Sequence, residues 1–318
     1  MAANLLKKDT CFSLQKEWHG LETIVPEITY ETSGLDWTVE RQPILLESTG
    51  KQIKGHFAVY CPEKEEVIQV AKDSYTLIQN SQLFEIMSEG LAGIPFKIVA
   101  AISLGNLQKV AVTVALEEKQ DYLINGEEFK NFVTFASSHN GSMNLYSYDT
   151  SIKSICGNTL QWSLADKGIL NLKVRHTKNS QVKIENMKQQ IEALFKKREE
   201  WYTSYERLSQ QPMSLEQAEK ILFGFEAKDE ISTRTRNKVG EIHQLFQNGL
   251  GNKGVNVGDI FGAITEYYTS KSSSNPGKAW ASSEFGLGRD KKLAFWSAIE
   301  DGELDKLAKR GEKLLELA

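Results

Sequence analysis

Between residues 96 and 116 the chain reads FKIVAAISLGNLQKVAVTVAL. Phe96, Ile98, Ala100, Ile102 and Leu104 recur at every second position, as do Val110, Val112, Val114 and Leu116 beyond Gly105-Asn106. A period of two is that of a strand with one buried face, and Gly-Asn between two such runs predicts a two-residue hairpin. Asn125-Gly126 and Asn140-Gly141 predict two further turns, around FKNFVTFASS and SMNLYSYDT. The expectation is an antiparallel meander from about 96 to 156. It runs directly into a helix at GNTLQWSLA, followed by one more strand at GILNLKVRH.

Upstream, the first thirty residues show few periodic apolar positions. LDWTVERQPILL alternates as a strand, with Pro43 placing it at an edge or a bulge. IKGHFAVYCPEKEEVIQVAKDSYTLIQ predicts two short strands joined through Pro62, and NSQLFEIMSEGLAG a short helix with Asn80 as its N-cap. Downstream the period lengthens. Met187, Ile191, Leu194, Arg198, Trp201, Tyr205 and Leu208 alternate steps of three and four, a heptad-like seam interrupted by Arg198. Such a helix either braces the sheet or pairs with another subunit. Ser214 with Gln217 forms a capping box, Ser232 opens a second helix, and VGDIFGAITEYYTS and KKLAFWSAIED read as two more. KSSSNPGKAWASSEFGLGRD is expected to be a flexible or binding loop.

These patterns give an α+β fold: a central antiparallel β-meander with crossing helices and a helical C-terminal part. The boundaries expected are an irregular segment over 1–30, an α+β core with the long helix over 31–210, and a helical region over 211–318. The 318 residues hold 40% hydrophobic and 25% charged side chains, ordinary globular values. No run approaches 18 apolar residues, so no membrane partner is expected. Cys11, Cys61 and Cys156 are widely spaced and odd in number, which fits a reducing, cytoplasmic setting.

Charge changes the picture. The chain carries net −4, yet from 151 to 198 ten Lys or Arg face three Asp or Glu, a balance of +7. From 101 to 150 the count is three against six, a balance of −3. A basic strip on an acidic body binds phosphates locally, because screening confines each field to about 8–10 Å. A solvated helix face is the plainer account of the same run.

Other chemistry is thin. His19, His56, His139, His176 and His243 never fall at i, i+3 or i+4, and no cysteine pair has ligand spacing, so neither a metal nor a cofactor is expected. No GxSxG, GxxxxGK[ST] or strand-linked GxGxxG occurs. GLGNKGVNVGD is read as a helix C-cap plus a loop. An enzyme built from His139, His176 and Asp149 has no spacing to support it, and no catalytic residue is assigned. What remains is SIKSICGNTLQWSLA with KVRHTK downstream. With Asn158 or Thr159 as N-cap, first-turn amides would face an anion. Lys153, Lys167, Lys173, Arg175, His176 and Lys178 surround that point, Lys173 and Arg175 on one face of a strand. Tyr146, Tyr148 and Trp162 offer planes on which unpaired bases stack, although core packing is the plainer role for Trp162.

SICGNTLQWSLA followed by VRHTKN resembles the Cys-x-Asn-Thr-Leu and Arg-His-Thr core of an uncharacterised phage/plasmid-like protein family, a domain-of-unknown-function family of phages, prophages and plasmids. LDWTVERQPILL is similar to its early Leu-x-Trp-x-Val strand. NVGDIFGAITEYYTS with KAWASSEFGLGRDKKLAFWSAI is similar to its C-terminal end. The likeness covers roughly 20–300. It departs before the cysteine, where a branched basic pattern is replaced by Lys153, Ser154 and Ile155. The resemblance implies a mobile element. The order of hairpin, sheet and crossing helix is also similar, at fold level, to phage single-strand annealing proteins. The function expected is single-stranded DNA or RNA binding, with strand annealing in recombination or replication, by a homo-oligomer joined through the 184–208 helix. The alternative is a non-enzymatic factor that binds a host protein in take-over or anti-defence.

Overall fold

The computed structural model describes residues 10–12, 27–116, 122–124, 127–153, 158–160, 187–249, 251–274, 282–283 and 286–318. The chain is α+β. Its strands are β1 (Thr10–Phe12), β2 (Glu40–Leu45), β3 (Gln52–Cys61), β4 (Glu66–Lys72), β5 (Phe96–Leu104), β6 (Lys109–Leu116), β7 (Tyr122–Ile124), β8 (Glu127–Ser138), β9 (Tyr146–Lys153) and β10 (Asn158–Leu160). Its α-helices are α1 (Asn80–Gly90), α2 (Met187–Ser209), α3 (Leu215–Glu226), α4 (Thr233–Asn248), α5 (Val257–Glu266), α6 (Leu287–Glu300) and α7 (Leu304–Glu316).

The meander is present. Strands run in the order β1-β5-β6-β8-β9-β10, with β7 on β8, and β2-β3-β4 form a separate antiparallel sheet. Pro43 lies on edge strand β2, where the register shifts between Pro43 and Leu45. Three details differ from the sequence pattern. The first thirty residues supply β1, paired with β5 through Thr10 and Ile102. Leu104 pairs with Lys109, so the loop after β5 has four residues rather than two. Gly105, Asn106 and Leu107 all take positive φ there (63°, 57° and 67°). A left-handed leucine costs about 1–2 kcal/mol, but burying its side chain returns about 1.5–3 kcal/mol, and Leu107 is 5% exposed in the core. Finally, the register slips between Ile98 and Ala100. The inward face of β5 therefore passes from Ile98 to Ala101, whereas Val110, Val112 and Val114 of β6 keep one face in the core.

Two compact units are interleaved along the chain. The first comprises Met1–Gln120, Phe132–Asp149 and Lys167–Phe195; the second comprises Asp121–Asn131, Thr150–Asp166 and Lys196–Ala318. In the first, the core gathers Leu35, Trp37, Val59, Leu83, Met87, Val112 and Phe135, all at most 2% exposed. The N-cap of α1 is Gln79, not Asn80: the Gln79 amide donates to Gln82 Oε1 (2.8 Å). Asn80 is buried instead, its amide donating to the carbonyls of Leu35 (3.0 Å) and Trp37 (3.1 Å) while its Oδ1 meets His139 Nε2 (2.9 Å). An asparagine that finds three partners in the core does not stay at a solvated helix end.

In the second unit the long seam is spent on the chain's own core. Arg198, Trp201, Tyr205 and Leu208 of α2 are all at most 5% exposed. Tyr202 stacks on Tyr122 of β7 (3.9 Å) and donates to Asn131 of β8 (2.7 Å). Trp201 meets Trp296 of α6 (5.3 Å), and Tyr205 meets Phe261 of α5 (6.4 Å). From Arg198 to Leu208 this helix packs on β7, β8, α5 and α6 of its own unit. Ser214 caps α3 with Gln217, and Ser232 caps α4, as their spacing predicts. The stretch GLGNKGVNVGD likewise supplies Gly249 as the C-cap of α4. Helix α7 was not among the helices expected. It packs against α3 backbone to backbone: a Cβ at Gly224 would lie 2.0 Å from the Leu307 carbonyl, and one at Gly311 1.9 Å from that of Lys220.

Candidate functional site

The residues predicted to bind a strand fall into three groups. Lys153, Asn158 and Thr159 belong to the β9–β10 hairpin of the second unit, where Lys153 pairs with Asn158 and Ile152 with Thr159. This corrects one expectation. Residues 158–160 are a strand, so Asn158 and Thr159 cap no helix and aim no first-turn amides at an anion. A ladder with the end of β9 has overridden the local capping preference of Asn-Thr. Strand β10 packs against α5 of the same unit. Tyr146 and Tyr148 stand two positions apart in the part of β9 that belongs to the first unit. Lys167, Lys173, Arg175, His176 and Lys178 lie outside the described residues, as do Cys156, Trp162 and the strand expected at GILNLKVRH. His139 is buried in the first unit, and the other histidine invoked with it, His176, is outside the described residues.

A constructed polar cleft lies elsewhere in the second unit, built on α4. Val239, Ile242 and Phe246 bury one side of this helix. On the other, Arg234, Asn237, Lys238 and Glu241 recur at i, i+3, i+4 and i+7 and line a cleft of about 620 Å³. Opposite them stand Tyr267, Tyr268 and Ser272, then Ser282 and Gly288. Tyr267–Lys271 is a π-helical turn, closed by the Ser272 amide donating to the Tyr267 carbonyl (2.8 Å). Turns of this kind are rare and concentrate at functional sites.

Glu226, the last residue of α3, lies behind the lining residues Lys238 and Tyr268. A carboxylate at a helix C-terminus faces the negative end of the dipole, and this side chain is 1% exposed. Three donors hold it. Tyr268 Oη gives a hydrogen bond to Oε1 (2.6 Å), while Lys238 Nζ (3.1 Å) and Lys291 Nζ (3.3 Å) share Oε2. Burial, and then the Glu226 charge, push the Tyr268 hydroxyl well above its usual range and keep it a donor. Lys291 also sits over the Phe225 ring (4.6 Å).

A second buried polar cluster fixes the far wall. Ser283 Oγ accepts from Lys292 Nζ (2.5 Å) and lies 3.1 Å from Thr269 Oγ1. All three residues are at most 3% exposed. Neighbouring Ser282 points its Oγ at the Gly288 amide (3.0 Å). Ser283 and Gly288 of the 270–290 stretch are therefore packed, whereas Lys271, Ser272, Ser274 and Leu287 are exposed. Nothing in the sequence motifs singled out Glu226, Arg234, Lys238, Tyr268 or Lys292. The available signal was the polar stripe Arg-x-x-Asn-Lys-x-x-Glu on a helix already predicted, together with an acid placed where a helix ends.

Comparison with known proteins adds one positive finding. The sequence model of a family described as Domain of unknown function (DUF932) matches residues 67–284, well over half of the 318. The protein belongs to that family. No curated protein and no solved structure matches the chain. The span matched to the DUF932 family runs from β4 to residue 284. It contains Glu226, the polar face of α4 and the π-helical turn, whereas α6 and α7 follow it. Among the described residues no helix is long and apolar enough to cross a membrane.

Proposed function

We propose that this protein binds single-stranded nucleic acid in the cytoplasm and serves strand annealing in the recombination or replication of a mobile element. One observation carries the reading: a balance of +7 over residues 151–198 in a chain of net −4. That segment lies inside the span matched by the family. Lys153 at its head sits on the paired β9–β10 hairpin, which α5 backs. The cations carry the proposal, and no helix terminus is invoked. The mobile-element setting comes from the resemblance in SICGNTLQWSLA and VRHTKN. Self-association would use surfaces other than Trp201, Tyr205 and Leu208, which are buried within their own unit.

Fluorescence anisotropy with a labelled single-stranded oligonucleotide tests this. Neutralising three or four phosphates predicts an affinity at least roughly tenfold weaker at about 200 mM salt than at about 50 mM. A folded Lys173→Glu, Arg175→Glu variant should lose most of the binding. Affinity unchanged by salt, or by this double substitution, refutes the proposal. A host protein that co-purifies after nuclease treatment would favour the protein-interaction alternative.

A further inference from the structure

We infer that the α4 cleft of the second unit is a separate binding site for a phosphate monoester of nucleotide size. Its volume of about 620 Å³ lies within the usual range of small-ligand pockets, about 300–1,000 Å³. Its lining selects the class of ligand. Leu287 is the one aliphatic side chain among the lining residues, so an apolar ligand finds little surface. Thr233, Ser272, Ser273 and Ser282 bring hydroxyl groups, Asn237 an amide, and Tyr267 a ring.

The charges favour an anion. Lining the cleft are Arg234 and Lys238 against Glu241, two cations to one carboxylate, with the Glu226–Lys291 pair behind Lys238. Glu226 offers nothing to a ligand, because Tyr268, Lys238 and Lys291 already engage both of its oxygens. Lys238 and Lys291 share one of those oxygens and remain about a quarter exposed (25% and 27%). Lys238, which lines the cleft, can turn further donors to an anion. Among the described residues Arg234 has no ion-pair or hydrogen-bond partner and stands exposed on the same helix face. A guanidinium grips phosphate with paired donors, and Arg234 with Lys238 one turn later forms such a clamp.

The site is also rigidly made. A buried carboxylate with two lysines contributes little net stability, since desolvation offsets the attraction. The Thr269–Ser283–Lys292 cluster likewise places polar atoms where apolar packing would serve the fold better. Both clusters lie directly behind the lining residues and hold them in place. The unit 1 cleft of about 920 Å³ contrasts with it, since Glu27, Glu85 and Glu89 face it with Lys97 as the one cation.

The phosphate could belong to a free nucleotide or to the phosphorylated end of a strand, and two assays on the full chain separate these. Calorimetric titration with a deoxynucleoside 5′-monophosphate and with inorganic phosphate reads the first. Competition between 5′-phosphorylated and 5′-hydroxyl oligonucleotides reads the second. Arg234→Gln should weaken whichever ligand binds by about tenfold, the loss of one charge-assisted contact. Asn237→Asp, which removes no contact among the described residues and adds a negative charge, should do the same. Arg236→Gln, exposed on the same helix outside the cleft, should leave binding unchanged. The inference is overturned if neither small ligand binds and the 5′ phosphate is not discriminated. It is equally overturned if Arg234→Gln and Asn237→Asp bind like the parent, or if Arg236→Gln weakens binding as much. Strand binding that is lost in Lys173→Glu, Arg175→Glu but ignores the 5′ phosphate would leave the nucleic-acid reading standing and remove this site.

Discussion

Glu226 stands at the carboxyl end of a helix and out of water, two settings that each disfavour its charge. Its three donors come from α4, the π-helical turn and α6, so one side chain ties together four elements of its unit. Removing one member of such a buried group leaves the others charged and unpaired, a loss of about 3–5 kcal/mol. Glu226→Ala should therefore lower the stability of the second unit by that order, read as a shift of the urea midpoint followed by Trp fluorescence. A change below about 1 kcal/mol would mean that Lys238 and Lys291 are satisfied by solvent. Arg310 performs a simpler task nearby, donating to the carbonyls of Gly224 (2.8 Å), Ala227 (2.9 Å) and Lys228, the open end of α3.

At the scale of elements, α3 and α7 approach backbone to backbone at Gly224 and Gly311. A methyl at Gly311 would fall 1.9 Å from a backbone oxygen, far inside any real contact. Overpacking of this kind costs about 1–3 kcal/mol when neighbours can move, and here the neighbour is a helix backbone. Gly311→Ala should cost at least about 2 kcal/mol by chemical denaturation, whereas Gly240→Ala, with nothing within 4 Å, should be neutral or stabilising. Elements with a clear period were legible in the sequence: β5 and β6 from alternation, α3 and α4 from Ser214 and Ser232. The bulge between Ile98 and Ala100 was not, since apolar residues on both sides of β5 mask a change of face. Residues 158–160 were misread because Asn-Thr is a good helix cap in isolation, and ladder pairing is decided elsewhere in the chain. The Glu226 site was hidden for a related reason: its members sit in four separate stretches, and none carries a motif.

For the molecule as a whole, alkaline pH is the condition the buried tyrosines make costly. Burial raises Tyr75 from its usual 10.0 to about 12, while its hydroxyl donates to the Ser138 carbonyl (2.9 Å). Tyr30, Tyr267 and Tyr268 are also raised, chiefly by burial. A raised acid holds its proton when folded and releases it sooner when unfolded. Stability is therefore complete below about pH 10 and falls as the pH climbs toward 12. For Tyr75 the full effect is about 3 kcal/mol, at about 1.4 kcal/mol per pH unit. Urea midpoints from pH 8 to 11 should fall more steeply for the parent than for Tyr75→Phe, and equal slopes would show that Tyr75 does not contribute.

The interleaving of the two units has a further consequence, for synthesis on the ribosome. The chain passes between the units five times, and the first draws on residues up to Phe195. Domains ordinarily fold in turn as they emerge, the N-terminal one first. Here the nascent chain cannot finish its first unit until more than half of the protein has been translated. By then segments of the second have already left the tunnel and must wait, unpartnered, for α4 to α7.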